Sequence, residues 1–289
     1  MDKDFSKLIR ANQMKNVQFK TFLGIALSGS KNDKTVLCEL QYFPKLDKLV
    51  LANLEDKIGP NTTKSSDSIL ISKIKNIKKI ESIGVNAALG LPKCSKCKLR
   101  CPGQESCKLS EVKWLRESYQ KVLRKNKKAK LFSPYTDRAV EYYVNHFLDE
   151  PVELPFALSA NSAPITARAQ FLQRHLPAKK MKEVLPALSV WRIGHYLRVQ
   201  KSYLKYYRNS SDCEVVRLYF LDKLKDNNKV FMYNQDKQKL VSNPASFDAF
   251  ISALSVYIDF QGYSSPKPKG FPRGADWLSF PLKDIGDLF

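Results

Sequence analysis

The chain has 289 residues, of which 43% are hydrophobic and 11% aromatic. This composition supplies a sizeable buried core and excludes a wholly disordered chain. No apolar run approaches the roughly 20 residues of a membrane-spanning helix, and the charged N-terminus lacks the apolar stretch of a secretory signal. We therefore expect a soluble, cytoplasmic protein with no membrane partner.

The charge balance is strongly basic, because the chain has 49 Lys and Arg residues and only 28 Asp and Glu residues, which gives a formal charge of +21. Such an excess favours a polyanionic partner, with nucleic acid ahead of an anionic membrane surface. The alternative is that the charge serves solubility, since much of it is spread along the chain. The densest cluster lies near 121–130, and we predict that it binds nucleic-acid phosphates. Its candidate residues are Arg124, Lys125, Lys127 and Lys128.

The first third of the chain has the pattern of an α/β fold. Strand-like runs separated by turn signals cover 21–29, 34–43 and 48–54. Apolar residues at near-helical spacing predict a helix over 66–79, and the run 80–92 is apolar enough for a buried, parallel strand. The order β-β-β-α-β is that of an RNase-H-like α/β fold, in which helices flank a mixed sheet.

The rest of the chain continues the mixed pattern without a clear linker. We predict helices from Ser110, over 189–208 and from Asn243, together with strands over 182–188 and 276–282. Asn243 is the expected cap and Pro244 the first-turn residue of the last helix. We therefore divide the chain into a lead-in, 1–18, and a single RNase-H-like domain, 19–289.

Four of the six cysteines fall within fourteen residues, in the spacing C-x2-C-x3-C-x5-C. In an intracellular protein such density favours metal binding over disulfides, which remain the alternative together with free thiols. One loop with a Pro after the third Cys resembles the iron–sulfur loop of endonuclease-III-like DNA glycosylases, whereas structural zinc usually takes two separated pairs. We expect a [4Fe–4S] cluster or Zn²⁺ in a Cys-rich insertion, 93–108. The predicted ligands are Cys94, Cys97, Cys101 and Cys107.

The predicted helix 189–208 alternates aromatic and basic side chains. Such interleaving can bind single-stranded nucleic acid by stacking and charge. The alternative is that the aromatic residues form core and the bases face solvent. On the first interpretation Arg192 and Arg198 are weaker candidates for nucleic-acid binding.

Six short segments together resemble a bacterial and archaeal family, domain of unknown function 429, whose members are predicted nucleases with an RNase H fold. The matching pieces are GIALSG (24–29), IGVNAALGLP (83–92), SPYTDRAVEYYV (133–144), EVLPALS (183–189), SFDAFISAL (246–254) and DWLSFP (276–281). Each piece is short, and their order and spacing over 20–282 carry the resemblance.

The resemblance implies a site for two divalent ions, Mg²⁺ or Mn²⁺, held by carboxylates on the first strand, the fourth strand and a late helix. In this chain Ala26 and Asn86 stand where the family has Asp. Glu183 and Asp248 keep carboxylates where the pattern expects them, and Asp137 and Arg138 belong to a family motif of unknown role.

Two functional hypotheses follow from these residues. The first is a nuclease-like protein directed at DNA or RNA, in which the loss of two Asp residues disables phosphodiester hydrolysis. The second is a non-catalytic nucleic-acid-binding or scaffold protein whose cysteine loop is a structural metal centre. No P-loop or dinucleotide-binding motif is present in the sequence to support nucleotide chemistry.

Overall fold

The computed structural model describes residues 18–29, 35–208 and 211–288. Almost all of the predicted lead-in, 1–18, lies outside these residues. Six strands form one mixed sheet in the order β5-β4-β1-β2-β3-β6. Strand β2 is antiparallel to both of its neighbours, whereas the other pairings are parallel. The strands are β1 Lys20–Ala26, β2 Thr35–Phe43, β3 Lys48–Ile58, β4 Ile80–Val85, β5 Met181–Glu183 and β6 Val230–Phe231.

Helices cover both faces of the sheet, which confirms the α/β prediction. Alternate residues of β1 show this, since Phe22 belongs to one apolar core and Leu23 to the other. The first core includes residues of α5, α7 and α9, and the second includes residues of α1 and α4. The helices are α1 Ser66–Asn76, α2 Ser110–Lys125, α3 Ala139–Phe147, α4 Ala163–His175, α5 Pro186–Tyr196, α6 Lys201–Leu204, α7 Cys213–Asp226, α8 Asn234–Ser242 and α9 Pro244–Phe260.

Helix α9 lies directly on the sheet because two glycines leave room for its backbone. A Cβ atom on Gly24 of β1 would lie 1.8 Å from the Ala249 carbonyl oxygen, and one on Gly84 of β4 would lie 2.3 Å from that of Ser252. The Asn243 side chain caps the helix by accepting from the Ala245 N–H at 2.9 Å, as predicted. This close contact sets which α9 side chains reach the ends of β1 and β4.

The predicted helix over 189–208 is wrong at both ends. It begins at Pro186 and ends at Tyr196 in a Schellman motif, in which the Arg198 and Val199 N–H groups donate to His195 and Gly194. Arg198 takes the left-handed conformation, φ 57°. The chain then turns back, and α6 packs over α5, since a Cβ atom on Gly194 would meet the Leu204 side chain at 2.4 Å. Residues 205–208 therefore lie beside the site described below instead of continuing the helix.

Both strands predicted in the second half of the chain need correction. The strand over 182–188 stops at Glu183, because Pro186 begins α5. The final strand, 276–282, is reduced to isolated bridges that join Leu278 to Glu183 and Pro281 to Ser264. Helix α2 begins at Ser110, as predicted. Within the described residues, no helix is long and apolar enough to cross a membrane.

Candidate functional site

The ends of three strands bring the predicted site residues to one edge of the sheet. Ala26 ends β1, and Asn86 follows β4 and donates its backbone N–H to the Ile25 carbonyl oxygen at 3.0 Å. Glu183 ends β5 in register with Val85. Because β1, β4 and β5 are parallel, their carboxyl ends meet at this edge, as expected for a ligand site in an α/β sheet.

Asp248 reaches the same edge from the first turns of α9. Its side chain is fully buried, and each carboxylate oxygen has partners. Oδ1 accepts from the Tyr207 hydroxyl at 3.1 Å, and Oδ2 accepts from Asn86 Nδ2 at 3.4 Å and from the Arg208 guanidinium. The structure therefore joins Asn86 to Asp248, and it adds a tyrosine and an arginine to them.

Burial raises the pKa of Asp248 to about 6. The charge of Arg208, the hydrogen bond from Tyr207 and the charge of Arg217 act in the opposite direction. Burial dominates because it removes the water that would stabilise the charged carboxylate. In return, the Asp248 carboxylate raises the pKa of Arg208. The pair therefore carries little net negative charge toward the cleft.

Glu183 is also bound to an arginine. Arg138 Nη1 and Nη2 donate to the two Glu183 oxygens at 2.8 Å each, and the Leu89 N–H donates to Oε2 at 3.0 Å. Both side chains of the pair are at most 4% exposed. Burial alone would lower the pKa of Arg138, but Glu183 and then Glu141 raise it, so the guanidinium stays charged. The family motif gives no role to Arg138, and in the structure this residue is the ion-pair partner of Glu183.

Two more buried glutamates tie this pair to the cysteine loop. Glu141 accepts from Arg138 Nε at 2.7 Å and from the Arg138 N–H at 2.9 Å, which caps α3. Glu111 of α2 accepts from the N–H of Ala139 at 3.1 Å and from that of Lys93 at 2.8 Å. One carboxylate thus joins the first turn of α3 to the start of the cysteine loop.

A cleft of about 510 Å³ opens beside these residues. Asn86, Glu183 and Arg138 line its inner part, and Lys205 and Arg208 bring two exposed cations to it. Glu153 is an acidic residue in the lining. The cleft therefore offers basic and amide groups where the resemblance implied a cluster of carboxylates.

The residues present do not fit a pair of divalent ions. Ala26 has no ligand atom, and the carboxylates of Asp248 and Glu183 already accept from Arg208 and Arg138. Mg²⁺ needs carboxylate oxygens in near-octahedral geometry. Two arginines would have to leave buried or partly buried partners before such an ion could bind. We therefore derive no metal-dependent step at this site.

The four clustered cysteines lie in the loop before α2. Cys94 and Cys107 are partly buried against the core of α2, whereas Cys97 and Cys101 are exposed. Burial raises the pKa of Cys94, as do the nearby thiols of Cys101, Cys107 and Cys97 and the carboxylate of Glu111. Among the described residues, no three His, Cys, Asp or Glu side chains are grouped so that they could hold a metal ion.

The predicted nucleic-acid-binding residues divide into two groups. The basic cluster is exposed at the end of α2 and in the turn that follows, where cations also stabilise the helix through its dipole. Arg198 is exposed as well. Arg192 is different, since it is 6% exposed and pairs with Glu150 at 2.7 Å. Its prediction as a phosphate ligand is wrong, because a guanidinium buried to this degree does not reach a phosphate in solvent. The members of the exposed cluster are Arg124, Lys125, Lys127 and Lys128.

Sequence reasoning missed Tyr207 and Arg208 as partners of Asp248, and Lys205 as part of the cleft lining. All three residues belong to the predicted helix 189–208, and no local pattern indicates that this helix stops at Tyr196. The signal that could have found Arg138 is its place next to Asp137 in the family motif. Nothing in that motif identifies Glu183, 45 residues away, as its partner.

Comparison with known proteins identifies no relative of this chain. No protein-family model, curated protein or solved structure matches the chain. The resemblance to domain of unknown function 429 therefore stays a prediction.

Proposed function

We propose that this chain is a nucleic-acid-binding protein of the RNase-H-like class that does not hydrolyse its ligand. The observation that carries the proposal is the pairing of both retained carboxylates with arginines. Asp248 is bound by Arg208 and Glu183 by Arg138, so neither carboxylate is available to a catalytic ion. The protein belongs, on this proposal, to the second of the two functional hypotheses.

The RNase-H-like assignment is supported by where three positions meet. The first strand, the fourth strand and a late helix converge through Ala26, Asn86 and Asp248, which are the positions where such nucleases carry carboxylates. The neighbouring cleft can still accept a polyanion. Lys205 and Arg208 supply charge where a nuclease would supply metal ions, and cations of either kind attract phosphate.

We also propose that Cys94, Cys97, Cys101 and Cys107 hold one metal centre, Zn²⁺ or a [4Fe–4S] cluster. The donor chemistry fits, because four thiols lie in one loop of fourteen residues, and Cys94 and Cys107 pack against the same core. A bound metal would have to draw the thiolates together from their present positions. Its role would be structural, since the loop is anchored through Glu111 to the first turn of α3 and none of its four cysteines lines the cleft.

The test of the main proposal is a comparison of binding with cleavage. Short labelled single-stranded and duplex DNA and RNA are titrated with the protein, first in EDTA and then in Mn²⁺, and analysed by fluorescence anisotropy and by denaturing gel. We expect binding in EDTA that weakens as salt rises, and intact nucleic acid in Mn²⁺. Lys205→Gln/Arg208→Gln should weaken binding, whereas the exposed control pair Lys57→Gln/Lys64→Gln, with the same charge change, should not.

Two results would contradict this proposal. One is the absence of binding to every probe at low salt. The other is cleavage in Mn²⁺ that disappears in Asp248→Asn, which would return the protein to the nuclease class.

A further inference from the structure

A second recess, rich in tyrosine, lies next to the basic cleft. It has a volume of about 540 Å³ and is formed by α6, Tyr206, Asp212 and the first half of α7. Tyr203, Tyr206 and Tyr219 line it together with Val215. The recess differs from the cleft in that most of its surface is aromatic or aliphatic. We call it the tyrosine groove.

The three tyrosines of the groove are strongly exposed for aromatic residues. Tyr203 is 50%, Tyr206 53% and Tyr219 41% exposed, and Val215 between them is 65% exposed. Large apolar side chains gathered on one surface indicate an interaction site more often than single exposed residues do. The core does not account for their placement, because Leu204 and Tyr207 supply the buried side chains of this segment.

One short segment connects the groove to the basic cleft. Along 203–208, Tyr203 and Tyr206 line the groove, whereas Lys205, Tyr207 and Arg208 line the cleft. The turn at Arg198, just after α5 ends at Tyr196, produces this arrangement. A continuous helix would have carried residues 203–208 away from α9. Lys223 adds a cation at the groove, with its Nζ 5.6 Å from the centre of the Tyr219 ring. Asp212 is the acidic residue in the lining.

We propose that the tyrosine groove binds the unpaired bases of single-stranded nucleic acid, while Lys205 and Arg208 bind its phosphates. This inference rests on the proposed function and specifies its substrate class. Aromatic side chains next to cations are the arrangement that proteins use to bind single strands, because each base offers a flat face to a ring and each linkage a negative charge. In a duplex the base faces are covered by their neighbours, so a tyrosine cannot reach them.

Charge favours this occupant over a second copy of the chain. The segment 201–208 contains Lys201, Lys205 and Arg208 and no acidic residue. Two copies packed through this surface would bring like charges together, whereas a polyanion would neutralise them. An apolar protein partner would leave Lys201 and Lys205 without a counter-charge, whereas Arg208 already has Asp248.

The experiment compares matched single strands and duplexes of one sequence. We expect Tyr203→Ala/Tyr206→Ala to weaken single-strand binding by roughly tenfold or more, because each stacked ring contributes substantially to affinity. Duplex binding should change little. Tyr203→Phe/Tyr206→Phe keeps the rings and should keep single-strand affinity, which separates stacking from hydrogen bonding by the hydroxyls.

Tyr233→Ala is the matched control, since Tyr233 is 53% exposed but lies at the start of α8, outside the groove. It should leave both affinities unchanged. Thermal melting of all variants should match the native chain, because the exchanged side chains are half exposed. Photocrosslinking with a halogenated uridine strand should label the peptide that contains 203–208.

The outcomes separate this inference from the proposed function. If the native protein binds neither strands nor duplexes, the proposed function fails. If it binds both and the double alanine variant keeps its single-strand affinity, only the groove assignment fails. If the alanine variant instead changes the molar mass measured by light scattering, the groove is a contact between copies and the inference is overturned.

Discussion

Arg138 and Glu183 form a buried bidentate ion pair, with both N–O distances at 2.8 Å. The pair joins the first residue before α3 to the last residue of β5, and it holds a carboxylate that the family pattern would assign to a metal ion. A second arginine, Arg208, does the same for Asp248. The site is therefore organised by internal ion pairs, and its properties can be tested one pair at a time.

Replacing Arg138 should destabilise the fold more than it affects any ligand. Arg138→Met leaves the carboxylates of Glu183 and Glu141 buried without a cation, and removal of one partner from a buried pair costs roughly 3–5 kcal/mol. The free energy of unfolding, measured with urea, should fall by that amount. Arg124→Met, at an exposed position, should change it by no more than about 0.5 kcal/mol. A loss below about 1 kcal/mol for Arg138→Met would mean that the pair contributes little.

Asp248 should make the folded state less stable as the pH rises from about 4 to about 6. Its pKa is about 6 in the folded chain because of burial, whereas an unfolded Asp titrates near 4. In this interval the folded state keeps a proton that the unfolded state has lost, so the contribution is present at pH 4 and lost above pH 6.

The variant Asp248→Asn removes this titration. Comparing its free energy of unfolding with that of the native chain therefore measures the contribution of Asp248. As the pH rises from 4 to 7, the free energy of unfolding of the variant should increase relative to that of the native chain by roughly 2–3 kcal/mol. Loss of the Arg208 contact adds an offset that does not vary over this range, because the arginine stays charged. A difference between the two proteins that is constant with pH would show that Asp248 titrates normally.

Placing Asp at the two positions where the resemblance expects it should not by itself create a metal site. In Ala26→Asp/Asn86→Asp, Arg208 still occupies Asp248, so calorimetry should show at most weak Mn²⁺ binding. Adding Arg208→Gln should raise Mn²⁺ affinity by about tenfold or more, because three carboxylates then face the ion without a competing cation. A raised melting temperature in Mn²⁺ would report the same binding.

The control for that series is Asp248→Asn added to the triple variant, which should abolish the gain. Cleavage of nucleic acid by the triple variant would support descent of the site from a nuclease. Metal binding without cleavage favours the binding protein. Tight Mn²⁺ binding by the double variant would contradict the inhibitory role of Arg208.

Neutralising the exposed cluster at the end of α2 should weaken nucleic-acid binding evenly across sequences. The change to Gln is made at Arg124, Lys125, Lys127 and Lys128. The slope of log affinity against log salt should flatten by about three units, since each lost phosphate contact removes about 0.7 to 0.9 of a unit. The matched control changes Lys57, Lys64, Lys75 and Lys78, which are exposed and carry the same total charge. Equal effects of the two sets would indicate a general charge effect and no local contact.

The cysteine loop should yield about one zinc or about four irons per chain after anaerobic purification. Cys101→Ser should remove the metal and lower the melting temperature, because the loop loses its cross-link. Cys213→Ser is the control, since Cys213 lies on α7 and outside the loop. Metal analysis that finds neither element in the native protein would exclude the proposed centre.

Local sequence pattern determined much of the sheet and its central helix. Apolar runs predicted β1 to β4, because a strand buried on both faces needs side chains that avoid water on each side. Asn243 and Pro244 predicted the start of α9, since their preferences act within a few residues. The meeting of Asn86 with Asp248 followed from the resemblance.

Only the tertiary structure decided what surrounds those residues. Arg208 reaches Asp248 because a Schellman turn ends α5 at Tyr196, and a basic residue in the left-handed conformation gives no sign of such a turn in sequence. Arg138, the residue before α3, meets Glu183 at the end of β5 although 45 positions separate them in sequence. Periodicity reports how deeply a residue is buried, but not which distant charge will neutralise it. The pairing of Glu183 and Asp248 with arginines is therefore decided by the folded chain and not by local sequence.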